Sequence, residues 1–223
     1  MVQQAKIDGS PAVFQPVKAA ARKIVMATGN TGKLREITEL LAGTDVAVIA
    51  QSALDVIPAA ETGDTFVANA LQKARNAARQ TGLPAMADDS GLVVAALDGH
   101  PGIRSARYAG PQATDEENID KLLQALRGIT DRAAHFRCAA VFVRSAEDAQ
   151  PLIAQGRWCG EIAQLRRGTA GFGYDPIFYD PELQRCSAEL TSAEKNARSH
   201  RGQAIRALCR LMQAQWSASG GAA

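Results

Sequence analysis

The amino-acid sequence predicts an α/β domain in which short apolar strands alternate with amphipathic helices. In the first half of the chain, apolar runs of strand length are followed by residues with helical spacing, an alternation typical of α/β proteins. No internal repeat and no linker divides the 223 residues, and this length suffices for one large core. Hydrophobic residues make up 46% and charged residues 22% of the chain, which is ordinary globular usage and argues against a disordered or fibrous protein.

The first half of the chain carries the clearest alternation. Leu34, Ile37, Leu40 and Leu41 recur at three- and four-residue spacing and predict a helix that stops at Gly43. In chain order, the predicted elements are a strand at residues 24–27, a helix at 33–41, a strand at 46–50, a helix from 64 or 65 to 81, a short buried strand at 85–87 and a further strand or bent extension at 92–97.

The second half of the chain contains two capping boxes, Thr114 with Glu117 and Thr191 with Glu194, and each marks the start of a helix. In chain order, the predicted elements are a loop at residues 99–111, a helix at 115–126, a long hairpin of strands at 133–144 and 152–165, a glycine-rich loop at 167–176 and a last helix at 199–216. The last helix is expected to present one apolar face made of Ile205, Leu208, Leu211 and Met212.

Charge and apolar run length restrict the classes of partner. Lys and Arg number 25 against 23 Asp and Glu, so the net charge is only +2 and no global field recruits nucleic acid. The longest apolar runs, at residues 92–97 and 138–143, are far shorter than the ~18 residues of a membrane span. The four cysteines are widely spaced without a C-x-x-C pair, which indicates reduced, partly buried thiols and a cytoplasmic protein.

The two ends of the chain differ in composition from the middle. Asp8, Gln15 and Lys18 interrupt any secretory apolar region, and residues 1–22 are expected to form a poorly ordered extension. Residues 23–216 are expected to form a single domain. Residues 217–223 are small and glycine-rich, and they are expected to form a flexible tail.

The segment at residues 28–33 joins a predicted strand to a predicted helix, in a geometry that can bind an anion. Unpaired N–H groups and the positive end of the helix dipole point outward together, and Lys33 adds a full charge. Only two residues separate Gly29 from Gly32, and Leu34 follows Lys33, so the spacing does not fit a Walker A loop. Considered alone, the segment is equally compatible with a tight turn that carries an exposed lysine.

Three acidic residues are candidates for a metal site. Asp88 and Asp89 follow a predicted strand, and carboxylates of this kind suit Mg²⁺, which also binds substrate phosphates. In extended backbone the two side chains point to opposite faces, so only one of them faces a given cleft and the other can brace the turn. Glu61 is the third candidate. Capping of the turn by both aspartates is the structural alternative.

The remaining polar candidates lie on helices and loops. Asn69 and Lys73 are four residues apart and share a helix face, and Arg107 lies in a loop that could face phosphates or only solvent. The segment at residues 171–176 places an aromatic ring between two glycines, which can offer a flat face to a purine or pack under a surface loop. The predicted start of the last helix gathers Lys195, Ser199, His200 and Arg201. The cations among them oppose the helix dipole, a local cost that hints at function, whereas His200 considered alone is equally an exposed histidine near the helix cap.

Taken together, these segments resemble the inosine triphosphate pyrophosphatase family, also described as dITP/XTP pyrophosphatases. The similarity covers about residues 23–213 and is carried by short motifs in a fixed order. The motifs are Thr28-Gly29-Asn30-x-Gly32-Lys33-x-x-Glu36, Glu61-Thr62-Gly63-x-Thr65-Phe66-x-x-Asn69-Ala70-x-x-Lys73-Ala74, Ala87-Asp88-Asp89-Ser90-Gly91-Leu92, Pro101-Gly102-x-x-Ser105-Ala106-Arg107-Tyr108, Gly171 to Pro176, and Lys195 with Ser199-His200-Arg201-Gly202.

The resemblance implies an enzyme that hydrolyses ITP, dITP and XTP to the monophosphate and pyrophosphate, with Mg²⁺ as cofactor. It also implies a homodimer and an elongated, two-lobed mixed-sheet fold with the nucleotide in a central cleft. By position, Asp89 resembles the family's general base and, together with Glu61, its metal ligands. The residues that resemble the triphosphate cradle and its helpers are Thr28, Gly29, Asn30, Thr31, Gly32, Lys33, Lys73 and Ser90. Those that resemble the base-side pocket are Phe172, Gly173, Tyr174, Asp175, Lys195, His200 and Arg201.

Departures from the family pattern are few, and two other functions stay open. The first twenty or so residues have no counterpart in the family, Cys159 replaces a frequent proline, and Arg104 replaces a frequent tyrosine. One alternative is a pyrophosphatase directed at pyrimidine nucleotides, and the other is a catalytically silent nucleotide-binding regulator. The presence of Lys33, Glu61 and Asp89 together speaks against the silent regulator.

Overall fold

A seven-stranded mixed sheet forms the centre of the computed structural model, which describes residues 22–220. The strands are β1 (Arg22–Met26), β2 (Val46–Ala50), β3 (Ala85–Val94), β4 (Ala133–Val143), β5 (Leu152–Ile162), β6 (Phe178–Asp180) and β7 (Arg185–Cys186). The helices are α1 (Thr31–Leu41), α2 (Phe66–Thr81), α3 (Asp115–Ala125), α4 (Ser192–Arg198) and α5 (His200–Gly220). The strand order is β2-β1-β3-β4-β5-β6-β7, in which β1 is parallel to β2 and β3 and all later pairs are antiparallel.

Helix α2 covers one face of the sheet through a row of alanines. Ala70, Ala74, Ala77 and Ala78 are buried against β1, β3 and β4. Because alanine has the smallest apolar side chain, the helix axis lies close to the strands. This proximity brings the polar residues of the same helix, Asn69 among them, against β3.

Helices α1 and α5 cover the opposite face. Ile37 of α1 and Ile205, Leu208 and Met212 of α5 are fully buried against Met86 and neighbouring strand residues. Full burial of each large side chain contributes about 1.5–3 kcal/mol, so this cluster is a main source of stability. It holds the N-terminal ends of both helices over the middle of the sheet.

A second core lies on the same face towards the far end of the sheet. Helix α3 contributes Ile119 and Leu122, which pack with Phe136, Trp158 and Phe178 of the long strands. The rings of Phe136 and Phe178 lie 4.5 Å apart. The two cores define two lobes, and the cleft between them is where the polar residues of the sequence motifs gather.

The predicted α/β class and most predicted elements are confirmed. Strand β2 has the predicted bounds, the helices at 115–126 and 199–216 agree within a few residues, and both capping boxes form. The long hairpin is present as β4 and β5. Helix α1 begins two residues earlier than predicted because Asn30, and not a later residue, caps it.

Several predictions of detail are wrong. Strand β3 does not end at residue 87 but runs unbroken to Val94, because ten consecutive residues pair with β4, so the two aspartates lie within a strand and do not cap a turn. The loop at 99–111 contains a 3-10 helix, Gly102–Arg107. Leu211 is 42% exposed and does not belong to the buried face of α5. A separate helix, α4, carries Lys195, so this residue is not at the start of the last helix.

The described range leaves out most of the predicted N-terminal extension and the last three residues. The expected N-terminal extension lies outside the described residues except for Arg22, which begins β1. Helix α5 continues to Gly220, and residues 221–223 lie outside the described range. All four cysteines fall within the described range and are free thiols. Among the residues from 22 to 220, none of the helices has the length and apolarity that crossing a membrane requires.

Candidate active site

The loop between β1 and α1 presents the N-terminus of a helix to the cleft. Thr28 Oγ1 accepts a hydrogen bond from the Asn30 N–H at 3.2 Å, and Asn30 Oδ1 accepts one from the Lys33 N–H at 2.9 Å. This cap satisfies one of the four N–H groups that have no partner within a helix, so others are left to face an anion. The Lys33 ammonium lies in the same region, 3.4 Å from Asp88 Oδ2.

The adjacent aspartates of β3 serve opposite faces of the sheet. Asp88 is fully buried on the side of α1 and α5, where its Oδ2 contacts Lys33 and accepts from Arg201 Nε at 3.2 Å. Asp89 points to the α2 side, where Asn69 Nδ2 donates to its Oδ2 at 3.2 Å. The alternation of side chains along a strand therefore divides the pair, as the sequence led us to expect.

Glu61 and Asp89 meet at a shared lysine. The Lys73 ammonium donates to Glu61 Oε1 and to Asp89 Oδ1, each at 3.0 Å. The second oxygen of Glu61 accepts from Arg107 Nη1 at 3.1 Å. Two carboxylates separated by 28 positions in the sequence thus share one cation on the α2 side of the cleft.

The carboxylates differ in how strongly they hold a proton. Burial raises the pKa of Asp89 above its ordinary value, and the nearby lysines only partly oppose this. Burial opposes ionisation of Glu61 as well, but the nearby Lys73 outweighs it and lowers the pKa of Glu61. At Asp88, Lys33 and Arg201 together outweigh burial and lower the pKa in the same way. Asp89 is therefore the strongest proton acceptor of the three.

The 3-10 helix over β3 positions Arg107 through a close backbone approach. Ser105 Oγ accepts from the Leu92 N–H at 2.8 Å and donates to the Gly102 carbonyl at 2.6 Å. A Cβ at Gly91 would collide with the Gly102 carbonyl oxygen and lie 2.6 Å from Ser105 Oγ, so only glycine allows this packing. The same segment receives the Tyr174 hydroxyl, which donates to the Ser105 carbonyl at 2.9 Å.

A buried charge network joins α1, α4 and α5. Arg201 Nη1 donates to Glu36 Oε2 at 2.5 Å, and its Nη2 donates to Ser90 Oγ at 2.8 Å. The Lys195 ammonium lies 2.7 Å from Glu36 Oε1 and 2.5 Å from Asp175 Oδ2. Burial lowers the pKa of Arg201, but Asp88 and Glu36 raise it more, so the guanidinium stays charged.

The glycine-rich loop folds around Asp175 and reaches across the cleft. Asp175 accepts from the Phe172 N–H at 2.9 Å and from Ser187 Oγ at 2.8 Å. The Phe172 ring lies 5.0 Å from the Lys195 ammonium and packs on the first turn of α1, where a Cβ at Gly32 would approach the ring to 2.6 Å. The aromatic side chain thus connects the two lobes.

His200 opens α5 inside the second core. Its ring stacks on Phe136 at a centroid distance of 4.7 Å and an angle of 14°. Gly156 of β5 permits this position, because a side chain there would collide with the His200 carbonyl. Burial, together with the charges of Arg201 and Lys195, lowers the pKa of His200 well below its ordinary value, so the imidazole is neutral.

The structure brings most of the predicted site residues to one cleft. The predicted residues that line it are Asn30, Lys33, Glu61, Asp89, Ser90, Phe172, Gly173, Tyr174, Asp175, Lys195, His200 and Arg201. Gly29, Thr31 and Gly32 line an adjoining depression that shares Asn30 and Phe172. Lys73 and Thr28 are not part of the cleft lining. Lys73 donates to Glu61 and Asp89, and Thr28 accepts a hydrogen bond from the Asn30 N–H.

Other residues of the cleft had no role in the predicted site. Ser105, Asp115 and Asn118 line it, and Asp115 Oδ2 accepts from the Gly173 N–H at 2.6 Å. Glu36 was noted only as part of a motif, although it pairs with both Lys195 and Arg201. Its position three residues after Lys33 on a helix places the two on one face, and this spacing is the signal that could have found it.

The fold and the site define a class of protein, namely an α/β protein whose two lobes enclose a cleft lined by carboxylates, basic side chains and the N-terminus of a helix. A family model described as the Ham1 family matches residues 24–211. Because this match covers most of the chain, the protein belongs to the Ham1 family.

Named relatives agree with this assignment. A dITP/XTP pyrophosphatase of Thioalkalivibrio sulfidiphilus is 56% identical over 193 residues, which are 86% of this chain and 98% of the relative. A dITP/XTP pyrophosphatase of Yersinia pestis is 58% identical over 187 residues, which are 83% of this chain and 95% of the relative. Among solved structures, a HAM1 protein from Coxiella burnetii is 52% identical with a TM-score of 0.80, covering 86% of this chain and 98% of that one.

Proposed function

We propose that this protein hydrolyses non-standard purine nucleoside triphosphates, namely ITP, dITP and XTP, to the monophosphate and pyrophosphate. Such an activity removes these nucleotides from the cellular pool. The observation that carries the proposal is that Glu61 and Asp89 meet at Lys73 beside the helix terminus that holds Lys33. The names of the relatives, dITP/XTP pyrophosphatase, support the substrate class.

We infer that Glu61 and Asp89 hold Mg²⁺ together with the substrate. Among the residues from 22 to 220, no group of three or more His, Cys, Asp or Glu side chains could hold a metal by itself. Two carboxylates with hard oxygen donors nevertheless fit Mg²⁺, which commonly takes one or two protein carboxylates and completes its shell with phosphates and water. When bound, Mg²⁺ neutralises phosphate charge and so lowers the barrier to attack.

The chain's own residues account for the remaining steps. Lys33 and the N–H groups of the α1 terminus bind and orient the phosphates, whose mutual repulsion is the main barrier. Lys73 instead holds the Glu61 and Asp89 carboxylates in place. Asp89 accepts a proton from a water molecule whose oxygen forms a bond to the α-phosphorus. The bond between the α-phosphorus and the bridging oxygen of the β-phosphate breaks, and pyrophosphate leaves. The raised pKa of Asp89 suits it to this proton transfer.

The hydrogen-bond donors of the base-side pocket lie on α4, α5 and the glycine-rich loop. Arg201 uses Nε, Nη1 and Nη2 within the protein, but each terminal nitrogen carries a second hydrogen. A guanidinium only donates, so this residue suits the 6-oxo group of hypoxanthine or xanthine and not the 6-amino group of adenine. The Phe172 ring lies at the same pocket and offers a face for the purine.

A panel of nucleoside triphosphates with Mg²⁺ tests the proposal. Pyrophosphate and orthophosphate are measured for ITP, dITP, XTP, ATP, GTP, CTP and UTP. We expect pyrophosphate from the first three, with little product from the others. Preferential release from CTP or UTP would favour a pyrimidine-directed pyrophosphatase, and no release from any nucleotide would favour the silent regulator.

We also propose a homodimer in the cytoplasm. Cytoplasmic residence is supported by the four free thiols. The homodimer is supported by the family resemblance. Light scattering of the purified protein tests the association, since a dimer has twice the mass of the 23.6 kDa chain.

A further inference from the structure

Asp88 contacts two residues that line the cleft, Lys33 and Arg201, but its own side chain does not line it. Its side chain is 0% exposed, and the residues that line the cleft include its neighbours Asp89 and Ser90 but not Asp88 itself. A buried carboxylate is costly unless its charge is compensated. The cost of burying this carboxylate implies that the ion pairs of Asp88 stabilise its charge. The proposed reaction assigns no role to Asp88.

The contacts of Asp88 come from three separate elements and converge on one oxygen. Lys33 of α1 lies 3.4 Å from Oδ2, Arg201 Nε of α5 donates to it at 3.2 Å, and Cys138 Sγ of β4 lies at 3.8 Å. The other oxygen, Oδ1, is buried and has no hydrogen-bond partner among residues 22–220. The carboxylate is therefore directed towards Lys33 and Arg201.

The two cations at Asp88 differ in mobility. Arg201 is 3% exposed and is held by Glu36 and Ser90 as well, so it is fixed without Asp88. Lys33 is 15% exposed, and Asp88 is the only ion-pair partner of its ammonium among the described residues. A lysine on a flexible four-carbon stem needs such a partner to occupy one position.

We propose that Asp88, held from behind by Arg201, is a positioning residue that fixes the Lys33 ammonium at the phosphate subsite. This inference rests on the proposed function, because that function makes Lys33 a phosphate ligand. Asp88 acts through Lys33 and does not touch the substrate.

The direction in which Asp88→Asn changes the affinity for polyphosphate distinguishes a positioning role of Asp88 from simple charge repulsion. A carboxylate near an anion site repels the anion, so its neutralisation by itself would tighten polyphosphate binding. A carboxylate that positions Lys33 has the opposite effect, because its removal leaves the ammonium mobile. Asp88→Asn closely preserves the shape of the side chain, removes its charge and replaces one acceptor oxygen by an NH2 group.

The experiment is a double-mutant cycle read by binding. Calorimetry measures the affinity for inorganic tripolyphosphate, without metal, of the wild type, Asp88→Asn, Lys33→Ala and the double variant. We expect Asp88→Asn to weaken binding about 10-fold in the wild-type background and to change it less than about 2-fold in the Lys33→Ala background. Cys138→Ala, which removes a neutral neighbour of the same carboxylate, is the matched control and is expected to leave the affinity within about 2-fold.

Three results would overturn the inference: tighter or unchanged binding by Asp88→Asn, an equal loss in both backgrounds, or no tripolyphosphate binding by the wild type. Thermal melting verifies that each variant is folded. If Asp88→Asn does not fold, Asp88→Glu enters the same cycle, because it keeps the charge and displaces the carboxylate. Binding without release of pyrophosphate from ITP would refute the proposed function alone, since the cycle does not depend on turnover.

Discussion

At the scale of the residue, Asp89 combines a raised pKa with a position where β3, α2 and the loop before α2 meet. Its carboxylate is held by Asn69 and Lys73 of α2, and Lys73 links it to Glu61. Burial raises its pKa, whereas Asp88, one residue earlier, has a lowered pKa because Lys33 and Arg201 outweigh its burial. Two identical side chains in one strand therefore have different chemistry, and only Asp89 is suited to accept a proton.

The variant Asp89→Asn tests this role. An amide cannot accept the proton of the attacking water, but it keeps the shape that Asn69 and Lys73 surround. We expect turnover of ITP to fall at least ~100-fold while nucleotide binding stays largely intact, the usual scale for loss of a general base. Steady-state kinetics and calorimetry with ITP measure the two quantities, and near-wild-type turnover would contradict the assignment.

The buried neutral imidazole of His200 makes the stability of the fold depend on pH. Its pKa in the folded state lies well below its ordinary value, because burial, Arg201 and Lys195 disfavour the charged form. The unfolded chain therefore binds the proton more tightly than the folded one. The stability that His200 contributes is fully present above about pH 6.5 and is lost as the pH falls towards the folded-state pKa.

The expected loss of unfolding free energy from His200 is up to about 1.4 kcal/mol for each pH unit below pH 6.5. Urea unfolding between pH 7.5 and 5.5 measures it as a loss of unfolding free energy. We expect His200→Gln to reduce the slope of stability against pH, because the titrating ring is gone. An unchanged slope in His200→Gln would show that the buried ring is not its source.

At the scale of the element, the first turn of α1 and the glycine-rich loop act as a pair. Phe172 comes from the loop of one lobe and lies on the first turn of a helix in the other. Gly32 makes this contact possible by having no side chain, whereas its backbone does not require glycine. Asp175 holds the loop from within by accepting the Phe172 N–H.

The variant Gly32→Ala should displace the Phe172 ring, since the added Cβ would lie 2.6 Å from a ring carbon. We expect the KM for ITP to rise several-fold, roughly the effect of losing one aromatic contact, with little change in melting temperature because alanine favours helix. The same substitution in a Phe172→Ala background should add nothing. An equal rise of KM in both backgrounds would show that Gly32 acts by another route, such as the approach of phosphate to the loop.

At the scale of the whole molecule, the site exists only because two cores are held at a fixed separation by one continuous sheet. Strands β3 and β4 run through both, with Met86 and Cys138 in the core under α1 and α5, and Leu92 and Phe136 in the core under α3. Polar residues of the same strands lie between the two cores. A cleft built in this way gains its rigidity from the sheet, while the loops and helix termini at its rim supply the binding groups.

Much of this architecture could be predicted from the sequence, because its signals are local. The helix caps at Thr114 and Thr191, the apolar spacing of α1 and the bounds of β2 depend on residues only a few positions apart. The order of the short motifs was enough to indicate the family and the residues of the cleft. The alternation of a strand was enough to separate Asp88 from Asp89.

The tertiary structure alone decided which side chains pair with each other across long distances in the sequence. Arg201 pairs with Glu36, which is 165 residues away, and the Tyr174 hydroxyl donates to the Ser105 carbonyl, 69 residues away. Nothing local specifies such a contact, because it depends on how two cores and one sheet pack at once. The sequence by itself thus determined the elements and the chemical groups, while packing decided which group neutralises which, and so left Asp89 the strongest proton acceptor.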